Sequence, residues 1–128
     1  RNIESPEQVH ALCSNIQNLR HKTRDKLPLF ICVDQEGGRV ARLKAPFTVW
    51  PPLAKLGHLD STSVAFRFAM NMGAELRAVG INVDFAPCVD VFTNPKNTVI
   101  GDRAVGTDPE QVAKIASALV RGYIKSGI

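Results

Sequence analysis

The chain has 128 residues, with 16 lysines and arginines against 12 aspartates and glutamates, a formal charge of +4 with histidine neutral. With 45% hydrophobic and 22% charged residues it falls among core-forming globular proteins, which excludes disordered, collagenous and low-complexity classes. The length holds one domain at most. No apolar run reaches the ~20 residues of a membrane span, and no basic segment followed by an apolar one reads as a signal peptide, so no membrane partner is expected.

Ser5-Pro6-Glu7-Gln8 predicts a helix start, with serine as N-cap, proline at the first helical position and Gln8 placed to close a capping box. Val9, Leu12, Cys13, Ile16 and Leu19 continue it as one apolar stripe. The run Arg20-His21-Lys22-Thr23-Arg24-Asp25-Lys26 complements the negative end of that helix's dipole. With 6% aromatics and no binding motif, it is not read as a nucleic-acid face. Pro28 to Val33 is apolar without alternation, which predicts a strand buried on both faces, as in a parallel sheet.

That strand stops at Asp34-Gln35-Glu36-Gly37-Gly38-Arg39, and prolines 46, 51 and 52 predict an irregular stretch up to a helix starting near Asp60 to Ser63. Val64, Ala65, Phe68, Ala69, Met72, Leu76 and Val79 are its expected apolar face, with Gly80 as a left-handed stop. A second strand is expected within Ile81 to Val91, followed by about fifteen residues without periodicity, a length typical of functional loops. The last helix opens at Asp108-Pro109-Glu110-Gln111, again with a box glutamine, buries Val112, Ile115, Ala116, Leu119, Val120 and Tyr123, and stops at Gly127. Repeated strand-to-helix crossover implies an α/β fold with a parallel sheet. Two strands do not complete such a sheet, so both ends are expected to be cut.

Cys13, Cys32 and Cys88 fit neither a disulfide framework nor zinc-ligand spacing. They are expected to be buried free thiols, which favours a reducing cytoplasm. His10, His21 and His58 have no paired ligand spacing, so no metal is expected and they are placed at the surface or at helix ends. Gly37-Gly38 matches no phosphate-binding fingerprint.

The chemistry is expected where the two long loops leave the strands. Asp34 can accept two hydrogen bonds from neighbouring hydroxyls, and Arg39 and Arg42 supply fixed donors. This combination suits a polyhydroxylated ligand. Equally, Asp34 and Glu36 could serve only to pair with Arg39 or Arg42 and brace the loop. Asp90 and Gly101-Asp102-Arg103 follow the second strand, and neighbouring charges such as Asp102 and Arg103 often point apart.

The run from Asp34 to Leu43 (DQEGGRVARL), followed by Pro46-Phe47-Thr48 and Pro51-Pro52, resembles the first signature of glycoside hydrolase family 3, in its bacterial β-N-acetylglucosaminidase branch. Gly73-Ala74-Glu75-Leu76-Arg77, Gly80 to Pro87 (GINVDFAP) and Val99 to Ala104 (VIGDRA) resemble the succeeding signatures in the same order. The resemblance implies that residues 1–128 are an N-terminal portion, truncated at both ends, of a (β/α)8 TIM barrel. It implies that the intact parent is a cytoplasmic enzyme removing terminal β-linked N-acetylglucosamine from cell-wall-derived glycosides by a retaining route, without a cofactor.

In that branch the nucleophile is an aspartate on a late strand and the proton donor a histidine in a K-H-F-P-G-H-G type segment. Neither lies here, so the resemblance assigns no catalytic residue to this chain, and the fragment alone is expected to be inactive. It assigns substrate binding to Asp34, Arg42 and Arg103. Val105 and Cys88 depart from the family pattern as packing changes. The alternatives are a β-glucosidase or xylosidase of the same family, and a non-catalytic sugar-binding module derived from the barrel.

Overall fold

The computed structural model describes residues 2–24 and 26–128. Its elements are α1 (Pro6–Asn18), β1 (Cys32–Val33), α2 (Leu53–Leu59), α3 (Thr62–Ala78), β2 (Val83–Asp84) and α4 (Pro109–Ser126). Ser5 caps α1, its Oγ accepting the Gln8 N–H at 3.2 Å, whereas the Gln8 side chain overshoots the box and accepts the Glu4 N–H at 3.1 Å. Val9 and Cys13 are buried, while Leu19, expected on the stripe, is exposed where α1 tightens into a 3₁₀ turn over Leu19–Lys22. Asp25 of the basic run lies outside the described residues. His10, His21 and His58 are exposed, as expected.

β1 and β2 pair in parallel, Cys32 opposite Val83 and Val33 opposite Asp84. The ladder is shorter than the apolar run from Pro28 because side-chain amides take its hydrogen bonds. Gln17 exchanges two bonds with Leu29, at 2.7 and 3.0 Å, and Asn82 accepts the Ile31 N–H at 2.8 Å while donating to the Leu29 carbonyl at 2.9 Å. The backbone is thus satisfied without a neighbouring strand. β2 is equally short of its expected span. One further bond, Phe85 N–H to the Val33 carbonyl at 2.9 Å, extends the pairing before Pro87, which has no N–H to donate.

Burial on both faces of β1 does not hold: Val33 is buried, but Phe30 and Cys32 are exposed. Val33 joins the buried core, and Cys32 is exposed on a cavity that both residues line. The expectation of three buried thiols therefore fails at Cys32 and holds at Cys13 and Cys88.

The stretch expected to be irregular contains α2. Pro51 and Pro52 lie just ahead of it, where proline needs no helical hydrogen bond, and Leu53 and Leu56 face the core one turn apart. Ser61 caps α3, and Gly80 and Gly127 adopt positive φ at the ends of α3 and α4, as expected. α3 and α4 form the main helix pair, packing Ala65, Ala69, Met72 and Leu76 against Ile115, Ala118, Leu119 and Tyr123. Gly122 lets the backbones approach, because a Cβ there would collide with the Phe66 carbonyl. The contact face of α4 is therefore rotated from the expected one: Ala118 and Gly122 are inside and Val120 is 44% exposed.

Gln111 closes no capping box either. Its amide crosses to the Gly57 carbonyl at 3.1 Å and Asp60 Oδ1 at 3.2 Å, tying α4 to the end of α2 while Asp108 caps α4. The result is an α/β arrangement around a two-stranded parallel sheet, with both long loops leaving the C-terminal ends of the strands.

Candidate functional site

The loop after β1 is shaped by its own glycines and by two polar anchors. Gly37 and Gly38 have φ of +95° and +57°, and side chains there would run into Pro51 and Pro52 on the returning limb. Buried Gln35 is the first anchor. Its Oε1 accepts the N–H groups of Arg42 and Leu43 at 2.8 and 3.1 Å, its Nε2 donates to the Leu43 carbonyl at 3.1 Å, and its own N–H donates to Asp84 Oδ1 at 2.9 Å. It thereby sets Arg42 beside Asp34. Glu75 of α3 is the second, its carboxylate accepting from the Thr48 N–H at 2.9 Å and Trp50 Nε1 at 3.1 Å. Trp50 in turn meets Phe68 edge to face, ring centres 5.0 Å apart.

Of the three residues expected to bind substrate, two come together. Arg42 Nη2 donates to Asp34 Oδ2 at 3.0 Å, and both side chains are about half exposed on a cavity of ≈ 690 Å³ that Cys32, Val33, Arg39 and Phe47 also line. An ion pair this open contributes about 0–1 kcal/mol. It can exchange partners with an incoming hydroxyl at little cost. Arg103 does not line this cavity. It joins the site through Glu36, donating from Nε to Oε2 at 2.9 Å and from Nη2 to Oε1 at 2.8 Å.

The bracing alternative is thus realised with a different pairing: Asp34 takes Arg42, but Glu36 takes Arg103 of the other loop. Arg39 takes Asp102 at 3.1 Å and donates to the carbonyls of Thr98, Val99 and Ile100. Asp102 and Arg103 do point apart, each to its own partner in the loop after β1. In the Glu36–Arg103 pair only Glu36 is deeply buried, its side chain 7% exposed against 23% for Arg103, so loss of the arginine would leave a buried carboxylate without its partner.

Glu36 holds the Arg103 guanidinium well above the ordinary arginine range. Asp84 is the opposite case. Its Oδ2 is buried without a hydrogen-bond partner among the described residues, and burial, reinforced by the charges of Asp34 and Glu36 and opposed by the Gln35 N–H, pushes its carboxyl up to about 7. Asp84 also edges a hollow of ≈ 220 Å³ along β2, with Val120, Tyr123, Ile124 and Ile128. Burial raises the Cys88 thiol, which donates to Asp90 Oδ2 at 3.2 Å. Cys88 and Val105, the two departures from the family pattern, are both buried in the packing.

Sequence reasoning missed Gln35 and Glu75 as anchors. Glu75 carried a signal, a carboxylate at the border of the α3 apolar stripe between Met72 and Leu76. Gln35 carried none beyond its neighbours.

The family model described as Glycosyl hydrolase family 3 N terminal domain matches residues 1–128. A beta-hexosaminidase of Nitrosomonas eutropha is 40% identical over 134 residues, covering 100% of this chain and 37% of its own length. The structure of a glycoside hydrolase family 3 beta-N-acetylglucosaminidase from Paenibacillus sp. str. FPU-7 superposes with a TM-score of 0.94 at 41% identity, over 100% of this chain and 24% of that one. NagZ from Neisseria gonorrhoeae, in complex with N-trifluoroacetyl-D-glucosamine, does so with a TM-score of 0.89 at 34% identity, over 100% of this chain and 39% of that one. The chain therefore spans about a quarter to two fifths of the length of these relatives. With a match over every one of its residues, the chain belongs to glycoside hydrolase family 3.

Proposed function

We propose that these residues form part of the catalytic (β/α)8 barrel of a retaining β-N-acetylhexosaminidase and supply its sugar-binding loops. The observation that carries the proposal is the Asp34–Arg42 pair, half exposed on the cavity at the C-terminal end of β1. Asp34 accepts from two adjacent sugar hydroxyls, Arg42 donates to ring substituents, and Arg103 adds donors from the second loop. All three contribute by holding the sugar rather than by breaking its bond. The carboxylate nucleophile and the proton donor of a retaining mechanism come from the remainder of the parent barrel. The relatives' names and the glucosamine derivative bound by the gonococcal protein favour N-acetylglucosaminides, here as terminal β-linked residues of cell-wall-derived glycosides in the cytoplasm.

The test is turnover by the parent protein of aryl β-N-acetylglucosaminide and aryl β-glucoside side by side. The proposal expects the first to be preferred, and Asp34→Ala and Arg103→Ala each to lower kcat/KM by about 10²-fold, the scale of a lost positioning group. Preference for the glucoside would move the protein to the glucosidase branch. N-acetylglucosamine binding without turnover would make it a sugar-binding module.

A further inference from the structure

Glu36 has no place in the sugar-binding set, yet it is the more deeply buried member of the ion pairs, its side chain 7% exposed against 23% for Arg103. Its two oxygens grip the Nε–Nη2 edge of Arg103, a fork geometry that fixes the plane of the guanidinium as well as its distance. A third N–H, on Nη1, goes to the Val99 carbonyl at 3.2 Å. Three of the five N–H groups of an arginine are then committed inside the protein. One remains on each terminal nitrogen, and the side chain keeps 23% of its surface exposed.

The reverse connection is made by Arg39, which leaves the same loop as Glu36 and holds Asp102 and the carbonyls of residues 98–100. Each loop therefore lends the other one arginine and one carboxylate, through pairs 63 and 67 residues apart in sequence.

We propose that Glu36 is a positioning residue, which aims the two free N–H groups of Arg103 at the ligand, and that the Arg39–Asp102 pair locks the loops after β1 and β2 into one recognition unit. This rests on the sugar-binding reading of Arg103. A merely structural Glu36 would be replaceable by any group that restores stability. A positioning Glu36 requires its charge at its own chain length.

The experiment uses the full-length parent with Glu36→Gln, Glu36→Asp, Arg103→Ala and the double variant Glu36→Gln/Arg103→Ala, measured for KM and kcat on aryl β-N-acetylglucosaminide and for Tm. Glu36→Gln is expected to raise KM at least 10-fold with a smaller change in kcat. Glu36→Asp, which keeps the charge but retracts it by one methylene, is expected to recover Tm while KM stays at least 3-fold high. In the Arg103→Ala background, Glu36→Gln is expected to change KM by less than 2-fold, since the group it aims is gone.

If Glu36→Gln does not fold, the Glu36→Asp comparison decides alone. A wild-type KM for Glu36→Asp, or multiplicative effects in the double variant, would overturn the positioning role while leaving the sugar-binding reading intact. A wild-type parent without turnover would remove both.

Discussion

Asp84 shows what one residue's surroundings do to its chemistry. Its carboxyl lies at the end of β2 with one oxygen held by the Gln35 N–H and the other unpartnered, close to the charges of Asp34 and Glu36. The folded value of about 7 stands above the ~3.9 of an unfolded aspartate. The native state therefore binds the proton more tightly, and the stability this confers is complete below about pH 4 and is lost as pH rises through 7. The urea midpoint of the chain at low micromolar concentration is expected to fall between pH 4 and 8, and Asp84→Asn to flatten that fall. Equal slopes for the two proteins would show that Asp84 titrates as an ordinary surface carboxylate. From the sequence, Asp84 was one letter of a family signature. Its perturbation comes from burial and from the charges of Asp34 and Glu36 at the end of the neighbouring strand, and no local pattern contains that.

At the scale of elements, the capping chemistry was legible and the facing of helices only partly so. Ser5, Ser61 and Asp108 cap the three long helices from side-chain oxygens, because an N-cap is a contact within three residues. Gln8 and Gln111 were misassigned for a related reason: a glutamine long enough to close a box is also long enough to reach Glu4 or cross to Gly57. Periodicity located the α4 stripe but placed Val120 inside it. The helices meet instead where Gly122 permits contact with the α3 backbone.

This crossing makes a specific prediction. Gly122→Ala adds a methyl where the Phe66 carbonyl and Ala69 already sit, and should destabilise the chain by about 1–3 kcal/mol despite alanine's better helix propensity. Thermal unfolding followed by circular dichroism reads the effect, and an unchanged or raised Tm would show that the two helices separate at no cost.

For the whole molecule, the two-stranded sheet has, among the described residues, no further strand on either side, and Phe30, Phe85 and Ile124 are 84%, 62% and 68% exposed. Open strand edges and apolar side chains of this kind recruit further chain. Residues 1–128 made alone are expected to associate with rising concentration in light scattering and to turn over no glycoside. Monomeric behaviour throughout that concentration range would contradict the reading of this chain as part of a larger barrel.

The amino-acid order by itself determined the three long helices with their N-caps, the order of the two strands and the family signatures, but not α2. These depend on contacts between near neighbours or on a fixed string of residues. Only the tertiary structure decided that Glu36 holds Arg103, that Arg39 holds Asp102, that Gln35 sets Arg42 beside Asp34, and that Cys32 is exposed. The physical reason is the same in each case: a carboxylate or amide bonds whichever donor the fold delivers, and the strands deliver to one end of the sheet residues that the sequence keeps dozens of positions apart.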